Sequence, residues 1–348
     1  MKSMLSTKEH IIPQYTSWKL IVGWAVLALI SIFLAIFLGV VDIPISDILA
    51  TFTGQGSSTA QSIIMDIRLP RIITGMLAGV HLSVAGFILQ TITRNLLADP
   101  SIMGISQGAT LAITIFLLFT VYTGNVSESQ PVMPIAWLPG IGMIGGLIAG
   151  VIIYFFALQR ELGPLRITLC GIAIGAILHA IALGLMVGWG SHRIEVVLEW
   201  LSGSLYARSW QHVLFLLPFT VFGLLSLPLL SRPLNLLHFE TTVAQSFGLS
   251  YKRHFSFALI LACSLAASAV GVVGPIIFVG LIAPHLARFI AGRHLSLVLP
   301  LSIVSGIIIV TFSDLIGRMV GQDFEIPIGV VTALCGVPLL ITLLRRTI

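Results

Sequence analysis

Apolar residues in this chain fall into long uncharged runs joined by short polar links, and neither strand-like alternation nor an amphipathic helical stripe dominates. The first run, Leu20 to Val41, holds 22 residues without a charge, follows Lys2, Lys8 and Lys19, and has no small-x-small cleavage site. It reads as a retained membrane span, because a helix needs roughly 20 apolar residues to cross a ~30 Å hydrocarbon core. Further runs predict spans at about 72–93, 104–124, 138–158, 167–188, 210–230, 296–317 and 326–344. One uncharged stretch, Phe255 to Ala287, is too long for a single comfortable span. It contains GVVGP, Gly271 to Pro275, where proline removes a backbone donor and glycine loosens the helix. A break there gives two segments and about ten helices in all.

Composition agrees with this pattern. Hydrophobic residues make up 57% of the 348 and charged residues 9%, with a mean hydropathy of +1.07. No soluble core absorbs that much apolar surface, so the fold class is an all-α polytopic membrane protein forming a single transmembrane domain over residues 1–348. The net charge of +5 does not point to nucleic acid, because the basic residues stand singly between apolar runs. Cys170, Cys263 and Cys335 all sit within apolar runs, as packing residues would. No disulfide framework, metal centre or cofactor is expected.

Charge placement sets the orientation. With ten spans and residues 1–19 in the cytoplasm, thirteen of the 18 Lys/Arg face inward: Lys2, Lys8, Lys19, Arg94, Arg160, Arg166, Arg232, Lys252, Arg253, Arg288, Arg293, Arg345 and Arg346. Treating Phe255–Ala287 as one span inverts everything after it and leaves ten inside and eight outside. The positive-inside rule therefore favours ten spans, with both termini cytoplasmic, in the cell membrane and in contact with its lipid.

Five arginines remain outside: Arg68, Arg71, Arg193, Arg208 and Arg318. Two readings stand side by side. They anchor helix ends or pair locally, since Asp66 is near Arg68 and Asp314 precedes Arg318 by four residues. Alternatively they form an outward cationic surface that receives carboxylates of a partner, for which the guanidinium fork is suited.

Other chemistry is sparse. No GxxxxGK[ST] loop occurs, so any ATP drive must come from another chain, and neither HExxH nor a C-x-x-C pair is present. The chain is expected to be a transport subunit and not an enzyme. Ionisable groups within the spans are His81, His179 and, near an outer end, Asp314; no carboxylate is expected at the midplane, where a proton-coupled carrier would place one. Each histidine either hydrogen-bonds a neighbouring helix or lines a path. Glycines at four-residue spacing, Gly75/Gly79, Gly142/Gly146/Gly150, Gly171/Gly175 and Gly184/Gly188, allow close helix contact within a bundle or between copies. The long inner link from Ser231 to His254 accommodates a short amphipathic helix with Leu236, Leu237, Val243 and Phe247, stopped at Gly248. That segment docks on a cytosolic protein or rests on the membrane surface.

An ordered set of motifs then resembles the FecCD-type permeases of type II ABC importers, which carry iron(III)-siderophores, haem or cobalamin. The matching stretches are RLPRIITGMLAGVHLSVAGFILQTITRNLLADPSIMGISQGA (68–109), EWLSGSL (199–205), AQSFGLS (244–250), GVVGPIIFVGLIAPHLARFIAG (271–292), SDLIGR (313–318) and EIPIGVVTALCGVPLLITLLRR (325–346). The resemblance implies a ten-helix permease fold paired with a second permease subunit, identical or different, above two cytosolic ABC ATPases. An extracytoplasmic substrate-binding protein is implied to dock at Arg68, Arg71 and Arg318. Within a cytoplasmic loop at 231–256, the resemblance implies ATPase coupling by Glu240, Thr241, Thr242, Ala244, Gln245, Ser246, Phe247 and Gly248. Thr241 and Thr242 depart from the acidic pair that the family often carries there. ELGPLR, Glu161 to Arg166, resembles the family's inner gate, which makes Gly163, Pro164 and Leu165 gate candidates and leaves His81 and His179 as possible pathway residues. Iron(III)-siderophore import is the expected function, with cobalamin or haem behind it. An ion-coupled secondary carrier is the competing class, and it would depend on His81 or His179.

Overall fold

A computed structural model describes residues 14–123, 137–158, 164–189, 201–292, 295–321 and 325–347. In chain order the helices are α1 Gln14–Phe37, α2 Ile45–Phe52, α3 Ser58–Gln61, α4 Leu69–Thr93, α5 Ile105–Thr123, α6 Leu138–Leu158, α7 Pro164–Trp189, α8 Trp210–Leu237, α9 Thr241–Ser246, α10 Tyr251–Val273, α11 Val279–Ala291, α12 Leu295–Val320 and α13 Ile328–Thr347. A π-helical segment, Ser62–Arg68, joins α3 to α4 without a break. No strand occurs among the described residues.

Seven helices are long and apolar enough to cross a membrane, and three shorter apolar ones lie at Ile105–Phe119, Val279–Ala291 and Ile328–Thr342. These are the ten segments that the apolar runs predict. The long stretch divides where GVVGP stands: α10 ends at Val273, Gly274 takes φ 75°, and residues 274–278 are non-helical. The 13 residues of α11 make about 20 Å of helix, so the extended segment completes that crossing. Between α1 and α4 the chain makes an excursion that hydropathy does not announce. Here Asp47 accepts from the Ser57 N–H at 2.9 Å and the Ser57 hydroxyl at 2.7 Å, which holds its carboxyl below the usual carboxylate range.

α4 is the central helix. It touches α1, α7, α8, α10, α11 and α12, and 83% of its most apolar window is buried against 17% for α1 and 22% for α7. Such enclosure requires small residues at the contacts, because lipid supplies no hydrophobic drive between helices. A Cβ on Gly86 would stand 1.9 Å from the Gly280 carbonyl oxygen, and one on Gly79 would stand 2.5 Å from that of Gly306. Gly142, Gly146 and Gly150 of α6 face Gly271, Ala267 and Cys263 of α10, while Gly171 and Gly175 of α7 face Met103 and Gly104. The four-residue glycine spacings at these places serve packing inside the bundle. Gly184 has nothing within 4 Å of a built Cβ.

Substituting Gly86→Ala should lower the unfolding free energy in detergent by about 1–3 kcal/mol through overpacking against α11. Gly23→Ala, with open space around it, should leave stability unchanged or slightly raised. Thermal unfolding of the two variants checks this.

Candidate functional site

The chemistry gathers at opposite ends of α4. At one end, α1 stops and leaves its last carbonyls unpaired, the negative pole of a helix. The π-helical turn before α4 brings Arg68 onto that pole, where Nη1 donates to Ile36 O at 2.7 Å and Nη2 to Val41 O. Gly39 leaves room for this, because a Cβ there would lie 2.7 Å from Arg68 Nη2. Arg318 Nη2 reaches Ala35 O at 3.4 Å.

Arg71 is held by two carboxylates. Its Nε and Nη2 donate to Asp314 Oδ1 at 3.0 and 2.8 Å, and its Nη1 and Nη2 donate to Glu325 Oε1 and Oε2, both at 2.8 Å. Asp314 is shared with Arg318, whose Nε lies 3.1 Å from Oδ2, the helical i,i+4 pair expected from spacing. All three arginines are buried, at 4%, 8% and 5% exposure for Arg68, Arg71 and Arg318. Asp66 is exposed and is not a partner of Arg68. A docking carboxylate would have to share or displace contacts already made within the chain. Arg193 lies outside the described residues.

At the other end, α8 stops at Leu237 and α9 starts after Glu240. Ala244 is buried, whereas Phe239, Val243 and Phe247 are exposed at 52%, 39% and 64%. Gly248 takes φ 79° and ends the segment, as its position predicts. Gln245 lines an open groove of about 630 Å³ with Leu249, Ser250, Tyr251, Lys252, Arg253 and Ser256. The result is a small apolar ridge beside a basic groove.

The two histidines separate. His81 is fully buried, with Nδ1 3.0 Å from Ser268 Oγ and Nε2 2.6 Å from Thr220 Oγ1, and so ties α4 to α10 and α8. The two hydroxyls in turn donate to the carbonyls of Leu216 and Leu265 on their own helices, at 3.0 and 2.9 Å. His179 is exposed on α7. Of the gate candidates, Gly163 lies outside the described residues, Pro164 begins α7, and Leu165 is 70% exposed.

Three features escaped sequence reasoning. Asp99 is buried beside the first turn of α11: Oδ1 accepts from Ser101 N at 2.7 Å, and a Cβ on Gly280 would stand 3.0 Å from Oδ2. Asp99 lies in the link between α4 and α5 and outside both helices, so the expectation about a carboxylate at the midplane of the spans is untouched by it. The link between α4 and α5 folds back against α11, and hydropathy does not record such a return. The second is GISQG, Gly104 to Gly108, which has the GxSxG spacing of hydrolase elbows. Ser106 is buried on α5 with no strand before it, so the strand–turn–helix context of that motif is missing. The third is Glu325, which joins Arg71 across 254 positions.

The sequence model of the FecCD transport family matches residues 27–346. The chain belongs to the FecCD transport family. Among its relatives, the iron(3+)-hydroxamate import system permease protein FhuG of Bacillus subtilis (strain 168) is 33% identical over 320 residues, covering 92% of this chain and 94% of that one. The ferric enterobactin transport system permease protein FepD of Escherichia coli (strain K12) is 34% identical over 327 residues, covering 93% and 94%. A solved structure assigned to the metal-chelate type of ABC transporter, in an inward-facing conformation, superposes with a TM-score of 0.81 at 26% identity, covering 94% of this chain and 99% of that one. Membership of the FecCD family therefore agrees with the resemblance read from the motifs, and the family member described here is a multi-pass membrane transport protein.

Replacing Arg71 by Ala leaves Asp314 buried with only Arg318 beside it, and should cost about 3–5 kcal/mol. Asp66→Ala, which removes an exposed charge, should change stability by less than about 0.5 kcal/mol. Thermal unfolding of both variants in the same detergent reads the difference.

Proposed function

We propose that this chain is the membrane-spanning subunit of an ABC importer for iron(III)-siderophore complexes. The observation that carries the reading is full-length similarity to permeases named for iron(III)-hydroxamate and ferric enterobactin import. The permease would pair with a second permease subunit and rest on two cytosolic ABC ATPases, because this sequence holds no phosphate loop of its own. The positive-inside rule, applied to ten spans with thirteen of the 18 Lys/Arg inward, supports a cytoplasmic position for both termini, the α8–α10 link and the start of α7.

In this reading the ridge of Phe239, Val243 and Phe247 seats in an ATPase groove, with Glu240, Thr241, Thr242, Gln245, Ser246 and Gly248 at its border and Ala244 anchoring it from within. Closure of the ATPases on ATP pushes this segment and rocks the helices around α4. Gly163, Pro164 and Leu165 gate the inner mouth. Between the two histidines, the exposed His179 is the better placed to face a path shared with the second subunit, while His81 holds helices together.

A binding protein docks at the opposite end, around Arg68, Arg71 and Arg318. Its acidic residues would compete with Asp314, Glu325 and the α1 carbonyls for the same guanidinium groups. Docking then loosens the contacts that hold α1, α4 and α12 together, and so reaches the translocating helices directly.

Deleting the gene in iron-starved cells should abolish uptake of one class of radiolabelled iron(III) chelate, hydroxamate or catecholate, and the wild-type gene should restore it. Phe247→Glu should restore less than about a tenth of the rate at normal membrane abundance, since a charge in a buried apolar contact costs more than the ~1.4 kcal/mol of a tenfold effect. Undiminished uptake of both chelates after deletion would contradict the iron assignment.

A further inference from the structure

Arg94 counts among the inward charges and has so far been given no other role. It ends α4 in the left-handed conformation, φ 51°, which is uncommon for a residue with a side chain. Its own N–H returns to Thr91 O at 3.3 Å and closes the helix. The side chain then crosses to the inner link: Nε donates to Leu237 O at 3.3 Å, Nη2 donates to Phe239 O, and Nη2 lies 3.5 Å from the Tyr251 hydroxyl. One guanidinium thus touches the last residue of α8, the residue before Glu240, and the first residue of α10.

The Leu237 carbonyl belongs to the end of α8, which has no further turn to accept from, and the Phe239 carbonyl to the link that follows it. Tyr251 is buried and stacks on Phe255 with ring centroids 5.7 Å apart, so the third contact sits on a fixed support. A planar fork spans acceptors on separate segments in a way that the point charge of lysine does not.

We infer that Arg94 is a positioning residue that couples the central helix α4 to the 239–248 segment, so that movement of that segment is transmitted to the core of the bundle. This rests on the reading of 240–248 as the ATPase-coupling segment. The fork bypasses the covalent route from α9 to α4, which runs through α8 and more than 140 residues of chain. Without it, the ridge at Phe239, Val243 and Phe247 would move against the bundle without turning α4.

The test uses two variants. Arg94→Asn keeps a residue that tolerates the left-handed backbone and removes the fork; Arg94→Lys keeps the charge and removes only the fork. Cells lacking the gene receive wild type or either variant and are assayed with iron(III)-ferrichrome and with iron(III)-enterobactin. Amide hydrogen exchange is followed in parallel on each purified full-length permease in lipid nanodiscs. Both variants should lower the maximal uptake rate about tenfold at unchanged half-saturating chelate concentration and unchanged membrane abundance, as the loss of charge-assisted bonds worth a factor of ten implies. Exchange should quicken at 238–250 while α4 and α10 keep wild-type protection. Wild-type uptake rates in both variants would overturn the inference. So would unchanged exchange at 238–250, or an increase spread evenly through α4, α8 and α10, which marks a packing residue. Failure of wild type to restore uptake of either chelate would instead count against the import reading, and exchange would still decide whether the fork holds the segment.

Discussion

Inside hydrocarbon no water is at hand, so every N–H and C=O that leaves a helix must find a partner in the protein. The break between α10 and α11 meets this constraint by drawing two other non-helical stretches around itself. Ser204 N–H donates to Val273 O at 2.9 Å, Ile328 N–H to Gly203 O at 3.0 Å, and Gly274 N–H back to Val270 O at 2.8 Å. Gly203, at φ 72°, is close enough that a Cβ would come within 2.8 Å of Pro275 O. The first turn of α11 then lies against the C-terminal half of α4, where Gln90 Nε2 donates to Gly280 O at 3.2 Å and the Asp99 carboxylate stands by the positive pole of α11. One break thus fixes the places of α4, α8, α11 and α13.

The charges follow the same economy of partners. A buried guanidinium is tolerable only when it is paired, and here Asp314 and Glu325 pair with Arg71, Asp314 also with Arg318, and the end of α1 accepts from Arg68. The same contacts connect function to fold. In the proposed function an external carboxylate would compete at one end of α4, and an ATPase would push at the other. Neither event needs a tight substrate site within the chain. The small residues facing α4 let it stay packed against its neighbours throughout.

Much of this was legible in the sequence because it rests on local signals. Length and hydropathy announced the ten apolar segments, glycine and proline announced the break at 274–278, Gly248 announced the end of the inner helix, and the spacing of Asp314 and Arg318 announced their pair. Features that depend on remote meetings left no periodic trace. Glu325 and Asp314 reach Arg71 across 254 and 243 positions, Asp99 is buried because its link folds back, and Arg94 finds acceptors more than 140 residues away. The π-helical turn that aims Arg68 at α1 has no sequence signature of its own either. The proposals of docking on the outer arginines and coupling through the inner ridge rest on family resemblance; the structure gives the contacts those residues make within the chain.

The crossing number underlies every assignment of inside and outside, and it depends on the break between α10 and α11. Single cysteines at Gln55, between α2 and α3, and at Ser250, before α10, occupy exposed positions and can be placed in a cysteine-free background with a third at Thr347. Labelling intact cells with a membrane-impermeant maleimide should modify only the Gln55 position, and permeabilised cells should yield all three. Modification of the Thr347 position in intact cells would mean an odd number of crossings and would contradict the account.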